Sequence, residues 1–146
     1  MMARAGLTVT VLGEPVPFAR MRLGRTGQHF VPAAQRNFAA VLQIEAANAM
    51  RKTNTPMFDE AVTLELTAEV SIPASWSNKK RNRAIAGEVV PTGRPDLDNL
   101  YKIVADAFNM VLFRDDSQVV SLRARKRYSA EPKLTVTVKP ANGEIG

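Results

Sequence analysis

The chain contains no cysteine, which excludes disulfides and every thiolate metal site. It has a single histidine, His29, which cannot build a zinc centre alone. Any resident metal must therefore be held by carboxylates, and hard oxygen ligands favour Mg²⁺ or Mn²⁺. Aromatics are scarce at 6%, with one tryptophan. No apolar run approaches the roughly 18 residues of a membrane span, and Met-Met-Ala-Arg-Ala-Gly at the N-terminus lacks the apolar core of a signal peptide. The expectation is a cytoplasmic protein with no membrane partner. Acidic residues are also in deficit: 14 Asp and Glu stand against 20 Lys and Arg, a formal charge of +6. Such an excess points toward a polyanionic partner, most simply nucleic acid.

What is present is ordinary for a globular fold, with 45% hydrophobic and 23% charged residues. At 146 residues the chain is expected to form one domain with its own core, ending in a frayed polar tail over 141–146. Residues 7–12 alternate threonine with aliphatics and predict a strand. Gly13-Glu14-Pro15-Val16-Pro17 breaks it, and an arginine- and glycine-rich loop is expected from Phe18 to Pro32. From Ala33 to about Lys52 the pattern is helical, with Phe38, Val41, Leu42, Ile44 and Ala49 near one face. Val62 to Val70 alternates cleanly, with Thr63, Glu65, Thr67 and Glu69 expected outward. Ser75 to Ala86 reads as a short basic helix capped by Ser75 or Ser77. A central helix is expected from Asp96 or Leu97 to Val111, a strand over 118–128, and another over 133–139. Glu131-Pro132 falls in the predicted hairpin between those strands. The order implies an α+β fold: a mostly four-stranded mixed sheet with two main helices and one short basic helix, the helices packed on one side.

The acidic residues are not scattered. Asp96 and Asp98 sit at i and i+2 where the central helix begins, Lys102 follows one turn later, and Asp115-Asp116 enters the next strand. On an ideal helix, Asp98, Lys102, Asp106 and Asn109 fall within about 80° of one another, away from an apolar stripe of Leu97, Leu100, Tyr101, Val104, Phe108 and Val111. A plain structural account exists: Asp96 as an N-cap worth about 1 kcal/mol, and Asp98 with Lys102 as a surface pair worth about 0.3–0.5 kcal/mol. Against it, two acids exceed what one cap needs, and the flanks are rich in arginine. A calcium loop is excluded, since Tyr101 stands where the loop needs glycine and Ala107 where it needs glutamate. Clustered carboxylates in a basic protein suit magnesium-dependent phosphodiester chemistry, and so a nuclease.

Pro95-Asp96-Leu97-Asp98-Asn99-Leu100-x-Lys102, then Asp106-Ala107, then Asp115-Asp116-x-Gln118-Val119-Val120, resembles the signature of RusA-type Holliday junction resolvases, small endonucleases carried mainly by bacteriophages and prophages. Gly13-Glu14-Pro15-Val16-Pro17 and Ile72-Pro73-x-Ser75-Trp76-Ser77 extend the likeness to most of the chain, from about Leu7 to Val138. The resemblance implies endonucleolytic cleavage of four-way or otherwise branched DNA by a homodimer. It matches Asp96, Asp98 and Asp116 to magnesium-binding carboxylates, Asp115 to the position beside them, and Lys102 to an essential lysine. Where some members carry a basic residue directly before the first aspartate, this chain has Pro95, with Arg94 one step away.

The DNA footprint is expected from Arg20, Arg22 and Arg25 in the first loop, Lys79, Lys80, Arg81 and Arg83 on the short helix, Arg94, and Arg123, Arg125 and Arg127 on one face of a strand. Trp76 is expected to pack, Phe30 to reach bases, His29 to be incidental, and Asp106 to hold Lys102. Two other readings stay open: a broader nuclease of flaps and forks, and a non-catalytic DNA-binding module with a structural cation.

Overall fold

The computed structural model describes residues 6–16, 22–23, 29–30 and 33–141, with backbone alone for 22–23 and 29–30. Its strands are β1 (Leu7–Leu12), β2 (Arg22–Leu23), β3 (His29–Phe30), β4 (Val62–Val70), β5 (Val119–Tyr128) and β6 (Lys133–Pro140). Its helices are α1 (Ala33–Thr53), α2 (Asn78–Ile85) and α3 (Leu97–Phe108), and a 3₁₀ turn, Asp116–Gln118, leads into β5. The main sheet has the order β1-β6-β4-β5, with β4 and β5 parallel and the other pairs antiparallel. This is the α+β architecture, mixed sheet and element order that the sequence predicts. Part of the expected first loop is instead a two-residue ladder between β2 and β3.

Period-two patterning builds one apolar face. Leu7, Val9 and Val11 of β1 pair in register with Val138, Val136 and Leu134 of β6, and Leu64, Leu66 and Ala68 of β4 oppose those same β6 residues from the other side. All of them are buried. Phe38, Leu42 and Ala46 of α1 and Leu100, Ile103, Val104, Ala107 and Phe108 of α3 complete the same core, and α1 packs on both β1 and α3. At about 25 cal/mol per Å² of apolar surface, this layer dominates stability. The α1 stripe is narrower than expected: Val41 and Ile44 are exposed, because burial follows Gln35, Phe38, Leu42 and Ala46, spaced three and then four residues apart. Burial on α3 is broader, taking in Ile103 and Ala107, since the helix is wedged between α1 and the sheet.

The strand pairing departs from the sequence reading at one connection. Glu131-Pro132 does not close a hairpin, because β4 lies between β5 and β6. The reason is charge. β4 is aliphatic enough to sit inside the sheet, whereas the arginines of β5 suit an edge, where they also deter further strand pairing. Gly13, with φ of 100°, ends β1 at the far side in a conformation open to glycine, and its amide donates to the Pro132 carbonyl at 2.9 Å.

The end of α3 decides where the second acidic pair falls. The helix stops at Phe108, not Val111. Asn109 turns extended and Met110 takes φ of 64°. The Met110 amide then donates to Phe113 O at 2.7 Å, and those of Val111 and Leu112 donate to Phe108 O at 3.0 Å. This reversal buries Leu112 and Phe113 completely. Phe113 meets Phe108 edge-on with ring centroids 6.4 Å apart. Arg114, Asp115 and Asp116 are thereby carried back toward the sheet.

Candidate active site

Residues 93–98 enter α3 from a loop whose Gly93 carbonyl accepts a hydrogen bond from Lys126 Nζ at 2.6 Å. Lys126 lies on the helix-side face of β5, so the strand that follows Asp116 also holds the loop that precedes Asp96. Pro95 is buried, while Arg94, Asp96 and Asp98 are exposed. Asp96 occupies the N-cap position with extended backbone, and its carbonyl receives the Leu100 amide at 3.1 Å. Its carboxylate makes no capping bond. The capping account of Asp96 therefore fails, and its side-chain oxygens have no ion-pair partner among the described residues. Asp98 lies in the first turn, where the helix dipole favours negative charge.

Lys102 and Asp106 are exposed along the polar stripe beyond Asp98. Among the described residues neither Asp98 nor Asp106 forms an ion pair with Lys102. The lysine is thus not held by Asp106, contrary to the expectation, and its ammonium has no ion-pair partner among the described residues.

The second acidic pair divides its work. Asp115 is the N-cap of the 3₁₀ turn, and its Oδ2 accepts the Ser117 amide at 3.1 Å. Hydrogen bonds from the Ser117 side chain and amide hold its carboxyl below the usual carboxylate range. Asp116 is half-buried, and its turn packs against α3. Burial first, and the Asp116 charge second, push the Tyr101 hydroxyl above the ordinary tyrosine range. Tyr101 belongs to α3, so the Asp116 charge lies within electrostatic reach of that helix, against which its turn packs. The three carboxylates are neighbours by element, but among the described residues no group of three acidic or histidine side chains is gathered around a single ion-sized space.

Gln118 closes the loop around these acids. Its Oε1 accepts the amides of Arg114 and Asp115 at 2.9 and 3.2 Å, and its Nε2 donates to Phe58 O and Glu60 O at 2.9 and 3.0 Å. With the Asp115 carboxylate this forms a reciprocal capping box. Sequence reading quoted Gln118 within the family signature but gave it no role, although Asp-x-x-Gln is a legible capping pattern. It passed over Lys126, for which only alternation with the arginines gave a signal.

The basic residues divide in the same way. Arg123, Arg125 and Arg127 share the sheet face away from the helices, in register with Glu65, Thr67 and Glu69 of β4. Arg125 Nε donates to Thr67 Oγ1 at 3.4 Å. Glu69, expected outward in solvent, is only 5% exposed; Arg127 Nη2 reaches its Oε1 at 2.8 Å and Lys133 Nζ its Oε2 at 3.8 Å. A carboxylate this buried needs such partners. On α2, capped by Ser77, Lys80 Nζ sits 3.9 Å over the Trp76 ring, Arg81 donates to Pro73 O at 3.4 Å, and Arg83 pairs with Glu88 at 3.2 Å. Trp76 itself packs edge-on against Tyr128 with centroids 5.1 Å apart. Lys79 is exposed and has no partner among the described residues. Arg20 and Arg25 lie outside the described residues, as do the side chains of Arg22, His29 and Phe30 and the tail over 142–146. No helix among the described residues is long and apolar enough to cross a membrane.

A basic α+β domain that presents carboxylates at a helix N-terminus, with Arg94 beside them, has the charge pattern of proteins that act on a phosphate polymer. The sequence narrows that class. The family model described as Endodeoxyribonuclease RusA matches residues 13–139, and a Bacillus subtilis (strain 168) protein, described as Uncharacterized protein YqaN, is 36% identical over 135 residues, covering 89% of this chain and 93% of its own length. The chain belongs to the RusA endodeoxyribonuclease family.

Proposed function

We propose that the protein is a magnesium-dependent, structure-selective endonuclease that resolves Holliday junctions by paired symmetric nicks, in the service of DNA recombination and repair. The observation that carries this reading is the pair Asp96 and Asp98 at the start of α3, exposed, with Asp96 declining the cap its position offers, in a chain of this family.

The donor set fits a hard dication. Asp96, Asp98 and Asp116 supply carboxylate oxygens that are not engaged in ion pairs among the described residues, and such oxygens are what Mg²⁺ or Mn²⁺ takes. Asp115 is the weaker ligand, its carboxylate being turned to Ser117. When bound, the ion supplies the positive charge that lets carboxylates and a phosphodiester share one site and that favours attack by water. Lys102 neutralises charge on the attacked phosphate. Arg94 and Lys79 grip the backbone to either side, and Arg123 and Arg125 extend the contact across the open sheet face. One chain carries one such site, whereas symmetric resolution needs two nicks, so the working unit is a C₂ homodimer.

Incubation of the protein with synthetic four-way, forked and linear DNA in the presence of Mg²⁺ tests the reading. Paired nicks in the four-way junction are expected. Preferential cutting of forks or flaps would favour a broader branched-DNA nuclease, and equal cutting of linear duplex would exclude structure selectivity. Asp98→Asn is expected to abolish nicking while junction binding persists or tightens, with a stability change below about 1 kcal/mol. Undiminished nicking by that variant would defeat the proposal; junction binding with no nicking by the wild type would leave a DNA-binding module with a structural cation.

A further inference from the structure

We infer that Gln118 is the positioning residue of the proposed metal site: its side-chain amide ties the backbone just before Asp116 to the segment that precedes β4 and thereby sets where that carboxylate stands relative to α3. The inference rests on the metal-dependent reading above and adds to it a residue that touches neither ion nor DNA.

A glutamine amide has two donor hydrogens and an oxygen with two lone pairs. In this structure the oxygen receives two amides, Arg114 and Asp115, and the nitrogen gives to two carbonyls, Phe58 and Glu60. The accepted bonds fold residues 114–118 into a ring closed by the Gln118 amide, which donates to Asp115 O at 3.1 Å. The donated bonds fasten that ring to the segment preceding β4. Phe58 is itself completely buried, and its amide donates to Leu112 O at 2.7 Å. The acidic loop is therefore tied through one side chain to the core, while the Asp116 carbonyl accepts the Val119 amide and its carboxylate has no ion-pair partner among the described residues.

This arrangement has a chemical purpose that capping alone does not explain. A turn of three residues has little intrinsic stability, and a carboxylate ligand on a loose turn loses affinity through the entropy of being held. Supporting residues around a metal site commonly govern affinity for this reason. Four bonds from one amide hold the turn before any ion arrives.

The test uses the full chain and Mn²⁺ as the probe, read by the paramagnetic resonance signal of the free ion, so that no nuclease activity is required. Gln118→Met keeps the length and apolar stem and removes all four bonds. Val9→Ala, in β1 at the opposite edge of the sheet, serves as a control matched in loss of melting temperature. Gln118→Met is expected to weaken Mn²⁺ binding about tenfold or more, and to accelerate hydrogen exchange at the Arg114 and Asp115 amides; Val9→Ala is expected to bind as the wild type does. Should Gln118→Met fail to fold, Gln118→Asn, too short to reach both carbonyls and both amides, carries the same expectation at several-fold. Wild-type affinity in the Gln118 variants, an equal loss in Val9→Ala, or no Mn²⁺ binding by the wild type would each overturn the inference. If binding falls as expected and yet no form of the protein nicks branched DNA, Gln118 keeps its role and the junction-resolving function falls alone.

Discussion

Asp115 and Asp96 both occupy N-cap positions, and they behave in opposite ways. Asp115 caps: its carboxylate accepts the Ser117 amide and takes part in a reciprocal box with Gln118. Asp96 does not cap, although its backbone is equally extended. On the metal-dependent reading proposed above, a side chain that forgoes a bond worth about 1 kcal/mol stays open to another partner. The same contrast runs through the basic residues, where Arg127 is committed to a buried glutamate and Lys79 to nothing among the described residues. Committed side chains build the frame, and uncommitted ones are exposed around it.

The largest disruption should come from the frame. Phe113 is fully buried and meets both Phe108 and the segment at Phe58. Phe113→Ala removes the ring that turns the chain back after α3, and should cost about 3–5 kcal/mol in denaturant unfolding. A loss below about 1 kcal/mol would mean that residues 110–118 are not anchored as the structure shows, and the contrast between the two acidic regions would lose its basis.

The arginine and lysine comparison is sharper though smaller. Arg127→Gln leaves Glu69 buried with only Lys133 at 3.8 Å, and a buried polar group without its partner costs about 1–3 kcal/mol; the exposed position of the guanidinium places the expectation at the lower end. Lys79→Gln should leave the melting temperature unchanged and instead reduce the slope of log affinity for DNA against log salt by about 1. If Arg127→Gln altered that slope and left stability alone, the assignment of the two residues would be reversed.

Much of this frame was legible in the sequence. Alternation identified β1 and β4 as strands and turned the aliphatics of β4 inward as found, but it also turned Glu69 outward, where the structure buries it; the polar stripe of α3 emerged with Asp98, Lys102 and Asp106 exposed as expected. Strand order was less accessible. Period two tells which face a residue takes but not which strand lies beside it, so the insertion of β4 between β5 and β6 could not be read from Glu131-Pro132. The early end of α3 was hidden for a similar reason: Val111 continues the helical stripe, and only the tertiary burial of Leu112 and Phe113 makes a reversal at Met110 preferable. In the site, the acids were legible as residue types at meaningful spacings. Their division into cap and free carboxylate was not, because Asp115 and Asp116 are identical in chemistry and differ only in what their neighbours offer.

Asp115 gives that division a pH signature. Its carboxyl titrates below the usual range when folded, so its contribution to stability is complete above the unfolded-state value, near about 3.9, and is lost as pH falls through the lower folded value. Asp115→Asn should therefore be less stable than the wild type at neutral pH, with the two unfolding curves converging in acid below about pH 4. A gap that stayed constant into that range would show that the side chain is not capping in its ionised form.

The smallest effect probes Asp116 itself. Tyr101 titrates high because burial and then the negative charge of Asp116 both oppose ionisation. Asp116→Asn removes the second cause and leaves the first, so the titration should move to lower pH while staying above that of a solvent-exposed tyrosine. The chain has two tyrosines, and replacing Tyr128 by phenylalanine retains the ring against Trp76 and leaves Tyr101 as the only source of tyrosinate absorbance. A titration unmoved by Asp116→Asn would place that carboxylate too far from α3 to act with Asp98. It would remove the geometric support for a shared site while leaving the capping role of Asp115 and the hydrogen bonds of Gln118 intact, so the comparison between the two acidic regions would survive only as a difference in local structure.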